Sequence, residues 1–194
     1  AKQTLHCLPT LQKAGLKGGV KYWDGQFDDA RLALALARSA AKEGALLVNY
    51  CKATKLIHDD GKLVGLKCQD QETGKTYRIE SSCVINAAGV WVDEIRQQDA
   101  KEVYKAVKDI VAPSQGVHVV VDREFMPTDH AMLIPKTADG RVLFAVPWLG
   151  KTILGTTDTP REDLAREPEP FKEELDFILN ESANYLSKAP TRAD

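Results

Sequence analysis

The sequence predicts a mixed α/β and α+β chain built in two parts. Three observations lead there. An Ala- and Leu-rich amphipathic segment spans residues 29–43, opened by Asp28 and stopped by Gly44. Three strand-like runs at 53–58, 62–70 and 75–80 follow, with Asp60-Gly61 and Thr73-Gly74 as the turns of a meander. Beyond residue 100 comes a series of short strand-like runs closed by one amphipathic helix.

Residues 1–19 contain one proline and three glycines and read mainly as loop. Residues 20–27, with Tyr22, Trp23 and Phe27, are a strand candidate. In the helix that follows, Leu32, Leu36, Ala37 and Ala40 make the apolar stripe, and Arg31, Arg38 and Lys42 lie away from it. Residues 45–50 read as a short buried strand ahead of the meander. Residues 83–87, Cys-Val-Ile-Asn-Ala, form another apolar run that ends in Ala88-Gly89, where a helix over 92–98 can start.

The second part has strand candidates at 109–112, 116–122, 131–135, 142–148 and 152–155, with turns at Asp139-Gly140 and Leu149-Gly150. Such short connections favour antiparallel pairing. The closing helix is expected over 171–186, with Phe171, Leu175, Ile178, Leu179 and Leu186 as its stripe. The expected division is residues 28–99 as one domain, with 1–27 and 100–194 as the other.

A chain of 194 residues with 43% hydrophobic and 28% charged residues is ordinary for a globular protein. A net charge of -2 and a pI near 6.1 leave no basic footprint for nucleic acid. No apolar run is long enough to span a bilayer, and the first residues carry no secretory h-region. Cys7, Cys51, Cys68 and Cys83 have no CxxC spacing, and the four histidines add no ligand pattern, so reduced thiols and no metal are expected. The start at Ala1 and the stop just after a helix read as an internal piece of a longer protein.

A meander followed by an apolar run ending in Asn-Ala-Ala-Gly suggests the later half of a dinucleotide-type flavoprotein domain. Small residues there let backbone approach a flat cofactor closely. More specific are four segments in order: 24–32 (Asp-Gly-Gln-Phe-Asp-Asp-Ala-Arg-Leu), 84–93 (Val-Ile-Asn-Ala-Ala-Gly-Val-Trp-Val-Asp), 113–120 (Pro-Ser-Gln-Gly-Val-His-Val-Val) and 146–160 (Val-Pro-Trp-Leu-Gly-Lys-Thr-Ile-Leu-Gly-Thr-Thr-Asp-Thr-Pro). Over nearly the whole chain they resemble the FAD-dependent glycerol-3-phosphate dehydrogenases.

That resemblance implies a partial FAD-binding domain of the glutathione-reductase-like class over 28–99, with an antiparallel substrate-binding sheet and covering helix in the rest. It implies oxidation of sn-glycerol 3-phosphate to dihydroxyacetone phosphate by hydride transfer to FAD. Quinone is the implied electron acceptor, or oxygen as in the related oxidases, for a cytoplasmic enzyme held peripherally on the inner membrane. The chain lacks GxGxxG, and the family's arginine- and lysine-bearing phosphate segments are expected beyond Asp194. The piece by itself is therefore expected to lack FAD and activity.

His118 is the candidate catalytic residue. Strand alternation places it with Gly116 and Val120, opposite Val117, Val119 and Val121, and Gly116 is expected to leave space beside the imidazole. An imidazole there can take the C2 hydroxyl proton as the hydride leaves. Taken alone it reads first as a sheet histidine bonded to its neighbours; the Gly-x-His match to the family reverses that preference in favour of catalysis. The resemblance also places Ala87, Ala88 and Gly89 along FAD and Ala53 where backbone meets the adenine. For Trp91, cofactor contact and core packing both stand. Lys151 reads as a turn residue, residues 155–158 as turn capping or a border of the site, and His6, His58 and His130 as surface or packing residues. An amino-acid-oxidase-like flavoenzyme and a non-catalytic ligand-binding module are the competing readings.

Overall fold

The computed structural model describes residues 1–102, 106–137 and 140–194. In chain order the elements begin with α1 (Lys2–Cys7), α2 (Asp29–Lys42), β1 (Cys51–Asp59), β2 (Lys62–Asp70), β3 (Thr76–Glu80) and α3 (Val92–Glu102). There follow β4 (Ser114–Gln115), β5 (His118–Asp122), β6 (Met132–Ile134), β7 (Leu143–Trp148), β8 (Lys151–Gly155), β9 (Thr159–Pro160) and α4 (Lys172–Tyr185). They fall into two compact units, Ala1–Lys21 with Ala112–Asp194, and Tyr22–Val111. The secondary structure is thus a mixture of helices and antiparallel sheets.

In the Tyr22–Val111 unit, α2 starts where expected because the Asp28 carboxylate accepts the Arg31 amide at 3.0 Å. Gly44, at φ +95°, turns the chain out of the helix. The three meander strands form as expected in the order β1-β2-β3, and the β1–β2 hairpin turns on Asp60 and Gly61, both at positive φ. At Gly65 a β-carbon would meet the Ile79 carbonyl oxygen at 2.1 Å, so the strands close up there only around glycine.

The free edge of β1 is covered by α3. The Gln98 amide oxygen accepts the Leu56 N–H at 2.7 Å, and its nitrogen donates to the Thr54 carbonyl at 3.2 Å. One side chain thereby stands in for a missing strand. Three residues of α3 clasp the segment 107–111. Asp93 accepts the amides of Ile110 and Val111 at 2.9 and 3.0 Å, Arg96 donates to the Lys108 carbonyl, and Gln97 donates to Val107 and Asp109.

Four expected strands of the sequence are irregular backbone: 20–27, 45–50, 83–87 and 109–112. A run of apolar residues becomes a strand only where a ladder partner satisfies its amides. Among the described residues those runs have no such ladder, and Leu46 and Ile85 stand 90% and 86% exposed. The stripe of α2 is likewise open, with no residue of the helix buried. For 109–112, hydrogen bonds to Asp93 at Ile110 and Val111 replace a strand partner.

In the other unit, β5-β8-β7-β6 form an antiparallel sheet, and β4 pairs with β9 beside it. One sheet face is the core: Val121, Met132, Ile134, Leu143, Ala145 and Leu154 pack with Phe125, Met126, Ile178 and Leu186. Residues 2–7, expected as loop, form α1, because Leu5 and Leu8 pack against that core. The chain near Thr10 and Gln12 is stitched to the end of α4, where Gln12 N–H donates to Tyr185 and Ser187 N–H donates to Thr10.

Helix α4 packs on β5 and β8. Its buried residues are Glu174, Ile178, Glu181 and Ser182, while Leu175 and Leu179 are half-buried. Ile178 and Leu186 of the expected stripe are buried as predicted, but Glu174, Glu181 and Ser182 share the inward face, and Glu174 can do so because it has polar partners inside. The cysteines are free thiols, Cys68 buried and Cys83 exposed.

Candidate active site

The four-stranded sheet has a second face that the core does not cover. Along β5, Val119 is half-buried and Val121 buried, while His118 and Val120 are exposed on the other side. Period-two alternation thus directs the imidazole away from the core. In register, His118 lies opposite Gly155 of β8, and Gly155 lies opposite Phe144 of β7. Phe144 is 39% and Val120 58% exposed, so the histidine stands in a partly apolar setting.

The space beside the imidazole comes from Gly155, not from Gly116 as the sequence suggested. A β-carbon at Gly155 would sit 2.7 Å from His118 Cδ2 and 2.9 Å from the Val117 carbonyl oxygen. Gly155 also has φ +154°, a conformation other residues rarely adopt. At Gly116 the room is taken by the neighbouring chain, since its β-carbon would meet Thr156 Oγ1 at 2.7 Å and the Thr157 carbonyl at 3.0 Å. Residues distant in sequence make these contacts, so spacing could not reveal which glycine served which neighbour.

Behind this face, the two arms 114–118 and 155–160 are bound by a buried polar network. Thr157 Oγ1 accepts the Val117 N–H at 3.0 Å and donates to Glu174 Oε1 at 3.1 Å. Thr159 Oγ1 donates to the same oxygen at 2.6 Å. Glu174 Oε2 accepts Gln115 Nε2 at 2.7 Å and the Phe171 N–H at 2.9 Å. The Gln115 oxygen accepts from Arg161, which also pairs with Asp163 and lies 4.7 Å over the Phe171 ring.

Burial works to raise the Glu174 carboxyl, but hydrogen bonds from Thr159, the Phe171 amide, Gln115 and Thr157 outweigh it and hold it below the usual range. It is therefore a carboxylate, and its four donors are what make burying the charge tolerable. Sequence reading missed this residue. The one available signal was an acid in the first turn of the closing helix, which is equally common on exposed helices. Of residues 155–158, expected as turn capping or a border of the site, Gly155 pairs with His118 and Thr157 accepts the Val117 N–H.

The remaining candidates lie in the Tyr22–Val111 unit. Ala53 is an exposed residue of β1 paired with Cys68 of β2. Ala87, Ala88 and Gly89 run along an irregular segment into a 3-10 turn, Gly89–Trp91, that opens α3. The segment is held by Asn86, whose amide donates to the Val92 carbonyl at 2.9 Å and accepts the Ala88 N–H at 3.3 Å. Ala87 and Gly89 are exposed, and a β-carbon at Gly89 would have nothing within 4 Å, so a flat group can approach this backbone. Trp91 is half-buried.

Lys151 is exposed and pairs with Asp122 beside the Leu149-Gly150 turn. His58 has its Nε2 2.9 Å from Asp99, and His130 shares a hydrogen bond with Thr128. Among the described residues no cluster of His, Cys, Asp and Glu has the makings of a metal site. No helix among them is long and apolar enough to cross a membrane.

Residues 1–194 match the family model described as FAD dependent oxidoreductase. The mitochondrial glycerol-3-phosphate dehydrogenases of Mus musculus and Homo sapiens are each 42% identical over 191 residues, covering 95% of this chain and 26% of theirs. A mitochondrial glycerol-3-phosphate dehydrogenase of Arabidopsis thaliana is 38% identical, covering 100% of this chain and 31% of its own length. The chain thus spans about a quarter to a third of the length of these curated relatives. The X-ray structure of the glycerol-3-phosphate dehydrogenase from Bacillus halodurans complexed with FAD superposes with a TM-score of 0.88 at 38% identity, covering 100% of this chain and 38% of that one. L-proline dehydrogenase from P. horikoshii, with a TM-score of 0.60 at 17% identity over 95% of this chain and 46% of its own, shares the fold.

Proposed function

The chain belongs to the FAD dependent oxidoreductase family, and on that premise we propose that the whole protein oxidises sn-glycerol 3-phosphate to dihydroxyacetone phosphate. The observation that carries this reading is His118 on the open sheet face, with its ring bonded to no other described residue and Gly155 making room beside it. Relatives named as glycerol-3-phosphate dehydrogenases support the substrate.

FAD, when bound, would accept the hydride from C2. The residues present fit such a group through the open backbone at Ala87, Ala88 and Gly89, with Ala53 and Trp91 as further contacts. In this reading the Tyr22–Val111 unit is part of the FAD-binding domain and the other unit is the substrate-binding domain. His118 takes the C2 hydroxyl proton on its imidazole. Val120 and Phe144 make the neighbouring surface partly apolar.

Quinone as electron acceptor and peripheral attachment to an inner membrane complete the reading; the relatives are named as mitochondrial proteins. The chain contains no GxGxxG, and the 194 residues alone are expected to hold no FAD.

The test is His118→Ala in the full-length protein reconstituted with FAD. Flavin reduction by glycerol 3-phosphate, followed by stopped-flow absorbance, should slow by about 10²–10⁴-fold. A rate equal to that of the unaltered protein removes His118 from the mechanism. Stoichiometric flavin absorbance in the purified 194-residue chain overturns the expectation that it binds no FAD.

A further inference from the structure

We propose that Glu174 is a positioning residue for the reaction, holding the His118 strand against residues 155–159 so that the imidazole keeps one placement. This rests on the role of His118 given above. Glu174 is 4% exposed and lies behind the sheet, so it acts through intermediates. Its Oε1 reaches Thr157, whose hydroxyl oxygen in turn accepts the N–H of Val117, the residue before His118. Its Oε2 reaches Gln115, three residues before His118. The carboxylate therefore grips both arms that meet at the imidazole.

His118 has no side-chain hydrogen bond to another described residue, and its cross-strand neighbour is a glycine, so its position follows from where its strand lies. Between the two grips, Gly116 lets the chain lie directly against Thr156 and Thr157. The backbone pairing of Gln115 with Thr159 and of His118 with Gly155 sets the register of the two arms. The directional bonds at Glu174 tie those same arms together from behind the sheet.

The composition of the network also points to placement rather than plain stability. An apolar residue at 174 would avoid the cost of burying a charge, and replacing a buried ionic group by a hydrophobic one is often neutral or stabilising. Here Gln115 has its oxygen turned to Arg161 and its nitrogen shared between Glu174 and the Glu169 carbonyl at 3.0 Å. Each amide group has a partner of the correct sense, so the side chain has one satisfied orientation. Phe171 closes the ring by donating its N–H to Glu174 while its side chain lies under Arg161.

The test compares Glu174→Gln, Thr157→Val and Thr157→Ser in the full-length flavoprotein, each also in a His118→Ala background. E174Q and T157V are expected to lower kcat by about 10–100-fold with KM within about twofold, because a small misplacement of a reacting group is costly. T157S, which keeps the hydroxyl, should restore the rate to within about threefold. In the His118→Ala background E174Q should cause no further loss, since a misplaced base that is already absent costs nothing more. Unchanged kcat, or losses that multiply in that background, overturns the proposal.

Amide exchange supplies a readout that needs no turnover. In E174Q the Val117 amide should exchange at least about tenfold faster, with the β7 amides unchanged as an internal reference. An unchanged Val117 amide defeats the positioning role even if E174Q proves too unstable for kinetics. Conversely, if the unaltered protein does not oxidise glycerol 3-phosphate while Val117 exchange still responds, the substrate reading fails and the coupling of Glu174 to the strand stands.

Discussion

Gly155 lies directly across the sheet from His118, so close that a β-carbon on it would stand 2.7 Å from the imidazole Cδ2. Two residues 37 positions apart thereby define one another's space, a fact visible only once β5 and β8 are paired. Gly155→Ala should destabilise the chain by about 1–3 kcal/mol, as overpacking does. The β-carbon must displace the Val117 carbonyl as well as the ring, and the backbone at φ +154° resists any side chain. Thermal unfolding would show it, and a melting temperature equal to that of the unaltered chain would contradict the close packing described.

The Thr152 hydroxyl is fully buried and has no hydrogen-bond partner among the described residues. Thr152→Val keeps the branched shape and removes the unsatisfied group, so it should leave stability unchanged or raise it by up to about 1 kcal/mol. Urea unfolding decides the matter: a loss above about 1 kcal/mol would mean that the hydroxyl is satisfied after all.

Gln98 is expected to matter more than most half-buried polar residues. Gln98→Ala strips two backbone groups of β1, the Leu56 N–H and the Thr54 carbonyl, of their partner. The cost should be about 1–3 kcal/mol. Hydrogen exchange at Leu56 should accelerate before that of β2, and equal protection in both proteins would refute the edge-covering role.

The Asp93 clasp should be pH-dependent. Burial pushes its carboxyl up, yet the Val111 amide, Arg96 and the Ile110 amide together hold it below the ordinary range. A folded value below the unfolded one means stability that is present above the unfolded pKa, near about 4, and is lost as pH falls through the lowered value. Asp93→Asn should therefore be less stable at neutral pH, with the gap closing below about pH 4. A gap constant down to pH 2 would show that the charge at 93 contributes nothing.

Much of this was open to reading one residue at a time. Asp28, Gly44, Asp60-Gly61 and Thr73-Gly74 act on their own neighbours, so the cap, the stop and the meander turns emerge where local chemistry puts them. Alternation likewise sends Val119 and Val121 inward and His118 outward, because a strand offers only two faces. The motif segments carried the family, which the whole-length match supports.

What depended on partners distant in the chain was hidden. Apolar runs at 45–50 and 83–87 have strand composition, but without a ladder they remain irregular, since backbone pairing belongs to two segments at once. The polar part of the buried face of α4 was missed for the same reason: Glu174 is buried only because Gln115, Thr157 and Thr159 converge on it. The sequence by itself determined α2, α3 and α4, the turns at Asp60-Gly61 and Thr73-Gly74, and the outward face of His118 on β5. Only the tertiary structure decided that Gly155 makes room for the His118 ring and that Glu174 binds the two arms beside it, because hydrogen bonds and close contacts depend on distance in space, which chain order does not contain.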